Sequence, residues 1–285
     1  MTRTEHLERA AAWLSFNGIE APRREVEELL AWILGVSRLT LLAHGEEPLT
    51  SAQGARFWEA VDRRAHREPL QYITGEVSFC GLRLAVTPGV FIPRPETELL
   101  VEAIVDQSDP QATLHFLDLG TGSGAIALAL CHRLPRAVGV AVDVSREALA
   151  VAAQNAIQLD FAERLRLLFG DLRALEATAL PLSSFDVIVS NPPYVPQEEY
   201  VRLAPEVARW EPRTALDGGV DGLWAYRAIA RQAPLFLKPD GRVAVELGAG
   251  EAEPVQALFV QAGFTSGTLI ADFAGIQRLY ITRRP

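Results

Sequence analysis

The stretch Leu114-His115-Phe116-Leu117-Asp118-Leu119-Gly120-Thr121-Gly122-Ser123-Gly124-Ala125 decides the architecture of this chain. Residues 114–118 read as an apolar strand, which runs into closely spaced glycines before a helix begins near Ala125. Glycines at such a turn let the backbone approach a ligand with no Cβ in the way, and the N–H groups of the helix that follows point at it. Further strands are expected at 138–142, 165–169, 185–190, 241–247 and 279–282, with helices near 125–132, 146–158, 224–237 and 254–262. Apolar strands alternating with helices imply a parallel sheet covered on both faces, an α/β fold. The second strand ends at Asp143, about 20 residues past the loop, where an acid accepts hydrogen bonds from ribose hydroxyls. Loop and acid together point to a bound nucleoside. Gly120-x-Gly122-x-x-Ala125 fits a dinucleotide fingerprint, while Gly120-x-Gly122-x-Gly124 fits a methyl-donor loop equally well. A dinucleotide domain usually opens its chain, so a loop this far from the start favours S-adenosylmethionine.

Upstream, the pattern is helical. Leu7, Ala11 and Leu14 share one face before Gly18, and Val26, Leu29, Leu30 and Ile33 share another between Pro22 and Gly35. Ser51 is placed as the N-cap of a helix carrying Phe57, Trp58 and Val61. From Phe79 to Val86 the residues alternate as a strand after a turn, and Pro88, Pro93 and Pro95 then stiffen the chain. Helical periodicity resumes from Glu96 to Val105.

The chain has 285 residues, room for one large or two unequal domains, with 49% hydrophobic and 22% charged residues, as in ordinary globular proteins. The formal net charge of -9 gives no global footprint for a phosphate backbone. Cys80 and Cys131 cannot make a disulfide framework, and neither has a metal-ligand partner at the right spacing. The start lacks a leader's apolar core and no run of about 18 apolar residues occurs, so a cytoplasmic protein is expected.

The fourth strand runs into Asn191-Pro192-Pro193-Tyr194, which by the switch-point rule faces the same crevice as the glycine loop. Asn191 offers a carboxamide oxygen, Pro192 a carbonyl without an N–H, and Tyr194 a flat face for a planar group. Two such acceptors can grip both N–H bonds of an amide-like nitrogen and turn it face-on to an electrophile. A sulfonium methyl needs only in-line positioning and a suitable field. Loop, acid and tetrapeptide together describe an amino-methyltransferase.

Several segments carry a more specific likeness: Pro69-Leu70-Gln71-Tyr72-Ile73-Thr74-Gly75, Phe91-Ile92-Pro93-Arg94-Pro95-Glu96-Thr97-Glu98, Glu211-Pro212-Arg213-Thr214-Ala215-Leu216, and Asp272-Phe273-Ala274-Gly275 with Arg278. With the glycine loop and Ser190-Asn191-Pro192-Pro193-Tyr194, they make the chain resemble the bacterial release factor glutamine methyltransferases over nearly its whole length. The tetrapeptide is shared with adenine and cytosine methyltransferases of nucleic acids, whereas the Ile-Pro-Arg-Pro-Glu-Thr-Glu connector is far more specific.

The resemblance implies a Rossmann-like class I S-adenosylmethionine-dependent methyltransferase domain, with a parallel-rich seven-stranded sheet, behind a small N-terminal helical bundle. Residues 1–72 would recognise the release factor, 73–95 would form a β-hairpin and Pro-rich connector, and 96–285 would be catalytic. The implied reaction methylates the side-chain amide of the glutamine in a release factor's Gly-Gly-Gln loop, yields S-adenosyl-L-homocysteine and uses no metal. Gly120, Thr121, Gly122, Ser123, Gly124, Asp143, Leu172 and Asn191 would bind the donor. Asn191, Pro192, Pro193 and Tyr194 would hold the glutamine, with Asn191, Pro192 and Tyr194 at the chemistry. Leu172 departs from relatives that place an aromatic residue beside adenine, so apolar contact remains there and stacking does not. Release factors are the implied partners, with no nucleic acid or membrane, and a monomer is expected. Phe91, Arg94, Glu211 and Glu246 stay outside the catalytic set, Glu246 because a solvated acid commonly ends a strand.

Three other readings compete. An adenine-N6 methyltransferase acting on nucleic acid would use the same tetrapeptide, but the acidic balance and the lack of a basic recognition segment count against it. A donor-binding module without transfer would not need the amide grip, and nothing resembles the acid/base dyad of a dehydrogenase.

Overall fold

The computed structural model describes residues 1–284. Contacts divide the chain into two compact units, one of Met1–Glu76 together with Ala204–Trp210, the other of Val77–Leu203 with the chain from Glu211 onward.

The first unit is a helical bundle of α1 (Arg3–Phe16), α2 (Pro22–Leu34), α3 (Arg38–Ala43), α4 (Ser51–Ala65) and the short α5 (Leu70–Thr74). Local chemistry sets most of the ends. Thr2 and Glu5 form a reciprocal capping box on α1. Pro22 occupies the first turn of α2, whose chain leaves through Gly35 at φ 66°. The N-cap of α4 is Thr50 rather than Ser51; Thr50 pairs with Gln53 in a second capping box, and Ser51 becomes the first helical residue. Leu7, Leu14, Val26, Leu29, Leu30, Phe57 and Val61 join one buried core. The segment from 204 to 210 adds a helical turn to this unit. Its Glu206 accepts from Arg64 Nη2 at 2.8 Å and Arg67 Nη2 at 2.7 Å.

The second unit opens at Val77, within the hairpin of β1 (Glu76–Phe79) and β2 (Leu82–Ala85), and continues through α6 (Glu98–Asp106). Then follow β3 (His115–Leu119), α7 (Ala125–Arg133), β4 (Val138–Asp143), α8 (Arg146–Gln158), β5 (Leu165–Phe169) and β6 (Phe185–Ser190). After α9 (Pro205–Trp210), which packs in the first unit, come α10 (Trp224–Phe236), β7 (Leu237–Glu246), α11 (Ala252–Gln261), β8 (Thr268–Ala271) and β9 (Gln277–Arg283). The seven-stranded sheet has the order β5-β4-β3-β6-β7-β9-β8. Strands β3 to β7 pair in parallel, and β9 pairs antiparallel with both β7 and β8.

Alternation along the central strands feeds two cores. Phe116, Val187 and Val189 face one layer, while Leu117, Leu119 and Ile188 face the other. The edge strand β8 leaves no apolar alternation in the sequence, because its side chains are only partly covered. Strand β7 starts at Leu237, upstream of the Gly241 start expected, and its register with β6 shifts before Val187. Asp240 there adopts φ 60°, which breaks the regular pattern. Among the described residues no helix is long and apolar enough to cross a membrane.

Candidate active site

Chain order reverses between β3 and β6, and the crevice of the second unit opens at the carboxyl ends of these strands. Leu119 at the end of β3 stands level with Val142 on one side and Ser190 on the other. The glycine loop, Asp143 and the Asn-Pro-Pro-Tyr turn thus leave the sheet at one height and line a single cavity of about 490 Å³.

At one end the surface is mostly main chain. Gly120 and Gly122 adopt φ 73° and 58°, in the region L side chains avoid. Both Gly120 N and Thr121 N donate to Val142 O, at 2.9 and 3.1 Å, which ties the loop to β4. Thr121 Oγ1 donates to the fully buried Asp118 at 2.6 Å. Burial pushes the Asp118 carboxyl up to about 7, against the pull of that hydrogen bond. Asp143 accepts from Gly122 N and Ser145 N, each at 2.8 Å. Burial raises its carboxyl as well, and these backbone N–H groups oppose the rise. Leu172 lines the same end, its turn pinned by Gln232, which donates to Leu172 O at 2.6 Å and accepts from Leu175 N at 2.7 Å.

Behind the loop lies a residue that sequence reasoning missed. Asn155 of α8 is fully buried, donates to Ser123 O at 2.9 Å and Ala85 O at 3.0 Å, and accepts from Ala85 N at 2.7 Å. It braces the glycine loop and the β2 hairpin against one another.

The other end is built from side chains. Asn191, Pro192, Pro193 and Tyr194 line it with Thr97 and Phe91. Asn191 Nδ2 donates to Thr97 Oγ1 at 3.1 Å, and Thr97 Oγ1 donates to Glu246 Oε2 at 2.6 Å. The Tyr194 hydroxyl lies 3.4 Å from Glu246 Oε1, a long contact. Glu246 is only 4% exposed, so it is not the solvated strand-end acid that is common at such positions. Burial pushes its carboxyl up to about 7, and burial likewise raises the Tyr194 hydroxyl.

Main-chain bonds fix the wall beyond Tyr194: Val195 N donates to Leu216 O, and Gly218 N donates to Val195 O, both at 2.8 Å. A Cβ on Gly218 would fall 2.6 Å from the Tyr194 carbonyl carbon, so only glycine permits this approach. Glu211 is buried and structural, accepting from Ile92 N at 3.2 Å and pairing with Arg94, whose guanidinium lies 4.8 Å from the Phe91 ring centroid.

Comparison with known proteins decides the family. The family model described as "PrmC N-terminal domain" matches residues 5–75, and the one described as "Methyltransferase domain" matches residues 110–263. The release factor glutamine methyltransferase of Moorella thermoacetica is 44% identical over 100% of this chain and 99% of its own length. The chain belongs to the release factor glutamine methyltransferase family. That of Cereibacter sphaeroides is 43% identical, again over 100% of this chain and 99% of its own. A methyltransferase from Pyrococcus furiosus, 18% identical with a TM-score of 0.54 over 82% of this chain and 99% of that one, shares the fold.

All the site residues expected in this methyltransferase sequence except Gly124 line the one cavity. Gly124 instead faces α7 and α8, where an added Cβ would press against Leu128 at 3.1 Å and Ala152 at 3.3 Å. Sequence reasoning does not single out Thr97, Asn155 or the burial of Glu246. Thr97 lies inside the connector motif, which is the one sequence signal that marks it.

Proposed function

We propose that this chain transfers a methyl group from S-adenosyl-L-methionine to the side-chain amide nitrogen of the glutamine in the Gly-Gly-Gln motif of peptide chain release factors. The observation that carries this reading is the continuity of one cavity from the glycine loop and Asp143 to Asn191, Pro192, Pro193 and Tyr194. Its volume of about 490 Å³ suits a small ligand.

The residues present fit the donor. A Cβ added to Gly120 or Gly122 meets no protein atom within 4 Å, so a side chain there would stand in the cavity itself. Ser123 Oγ is buried and has no hydrogen-bond partner among the described residues. The Asp143 carboxylate, which accepts from Gly122 N and Ser145 N, keeps lone pairs for ribose hydroxyls, and Leu172 offers apolar contact to a base. When bound, S-adenosyl-L-methionine supplies a methyl on sulfonium sulfur, electrophilic without further activation.

The protein's own part is positioning and electrostatics. Asn191 Oδ1 and the Pro192 carbonyl accept the two N–H bonds of the planar glutamine amide, and Pro192 has no N–H to compete. Tyr194 lays its ring against the amide. No side-chain base is required, since a methylated amide nitrogen bearing positive charge gives its proton to water. Residues 1–72 recognise the body of the release factor, and the reaction belongs in the cytoplasm, where translation terminates. The names of the close relatives favour glutamine over a nucleic-acid adenine as the acceptor.

Methyl-labelled donor tests this directly. Label should enter an intact release factor and not one whose Gly-Gly-Gln glutamine is replaced by asparagine. Equal labelling of both would overturn the proposal.

A further inference from the structure

We propose that Glu246 and Thr97 are positioning residues that fix which way the Asn191 carboxamide faces, keeping its Oδ1 turned to the substrate amide. This role rests on the glutamine reading above.

The two ends of a carboxamide have nearly the same shape, so packing alone does not set its direction. The partners do. An ionised carboxylate accepts hydrogen bonds and cannot donate one. The single hydroxyl proton of Thr97 is therefore committed to Glu246 Oε2, 2.6 Å away, a separation typical of a charge-assisted O–H···O bond. Only lone pairs remain on Thr97 Oγ1, and the Asn191 atom 3.1 Å from it must be the NH₂ nitrogen. Oδ1, on the other branch of the planar amide, is left for a substrate N–H. The chain of donors runs one way, from Asn191 to Thr97 to Glu246.

Protonating Glu246 removes that constraint. The carboxylic acid can donate to Thr97 Oγ1, freeing the threonine proton to turn toward Asn191. The carboxamide can then present its NH₂ to the substrate, donor against donor. The groups around Glu246 hold it near this balance. Burial and the charge of Glu96 favour the neutral acid, while the Thr97 hydroxyl, Arg278 and Tyr194 favour the carboxylate. Arg278 is itself held by Asp272 at 3.1 Å. With the carboxyl pushed up to about 7, both forms are populated near neutral pH.

The test is turnover on a release factor at saturating donor, measured from about pH 6 to about pH 9. Wild-type kcat should fall as pH drops through about 7, approaching tenfold per unit on the acid side. Glu246→Gln keeps the shape but can present either a donor or an acceptor to Thr97. It should lower kcat by roughly 10- to 100-fold above neutrality, lose the acid limb and leave donor Kd within about twofold. Thr97→Val should match that loss, and Thr97→Ser should recover most of the turnover. The double variant Glu246→Gln/Thr97→Val should be no worse than either single one, because the relay acts as a unit.

A wild-type profile flat across neutrality, an acid limb surviving in Glu246→Gln, or wild-type turnover in Thr97→Val would each overturn the positioning role. The wild-type profile needs no variant to fold. A wild type that binds donor yet methylates no release factor at any pH overturns the glutamine reading, and this role with it. A methylating wild type with indifferent variants overturns this role alone.

Discussion

The cavity end proposed for the donor is walled by main chain: Gly120 and Gly122 at positive φ, loop N–H groups tied to β4, and one carboxylate that is itself held by backbone. The end proposed for the acceptor is walled by side chains instead, and its hydrogen bonds link three distant places, Asn191 to Thr97 and Thr97 to the buried Glu246. A surface made of backbone must come from consecutive residues, whereas a surface made of side chains can be assembled from anywhere the sheet brings together. The shape of the proposed donor end is set by its turn geometry. That of the proposed acceptor end is set by the direction of each hydrogen bond. Changes at the first should therefore be read in donor affinity, and changes at the second in turnover.

The largest expected effect breaks the acceptor end. Asn191→Ala removes the preorganised acceptor and should lower kcat by roughly two orders of magnitude or more, with donor affinity by calorimetry nearly unchanged. A comparable loss of donor affinity would erase the distinction between the ends. Next, Asp143→Ala should weaken donor binding by about 1–3 kcal/mol, through lost ribose bonds and a loop freed at Gly122, with kcat recovered at saturating donor. Unchanged affinity in a titration would show that the ribose acid lies elsewhere.

A subtler probe acts from behind the donor end. Asn155→Ala deletes three hydrogen bonds, a buried one to Ser123 and two partly buried ones to Ala85. Donor affinity should fall by about 1–2 kcal/mol and the melting temperature should drop, while the pH profile of turnover keeps its shape. A shifted profile would mean that the two ends are mechanically coupled.

The smallest effect concerns Asp118. Its folded-state carboxyl is pushed up to about 7, well above the ordinary value, so the native protein keeps a proton that the unfolded chain releases first. Its contribution to stability is therefore greatest in acid and is lost as pH rises toward about 7. Asp118→Asn is neutral throughout, so its melting temperature relative to wild type should be higher at about pH 8 than at about pH 5 by a few degrees. The opposite order, or no difference, would contradict the burial argument.

How much was legible in the sequence follows the same division. The loop from Gly120 to Gly124, Asp143 and the tetrapeptide are local signals, and the structure brings them to one height because β3, β4 and β6 are in register. Thr97 and Glu246 carry no local signature of their contact: they are 149 residues apart and meet only because α6 is preceded by a tight turn beside the end of β7. Glu246 in particular looks like any acid that ends a strand, and only its burial reveals the relay. The inclusion of 204–210 in the helical unit is equally silent, since it depends on Glu206 meeting Arg64 and Arg67 across the sequence. Thr50 displaced Ser51 as a cap because both are good caps and only Thr50 has Gln53 three residues on. Strand β8, at the sheet's edge, buries too little to leave a pattern.

The most direct measurement is fragmentation mass spectrometry of a release factor after incubation with this methyltransferase and S-adenosyl-L-methionine. One added methyl on the side-chain amide of the Gly-Gly-Gln glutamine is the expected result. A methyl on any other residue, or an unmodified Gly-Gly-Gln peptide, would contradict it.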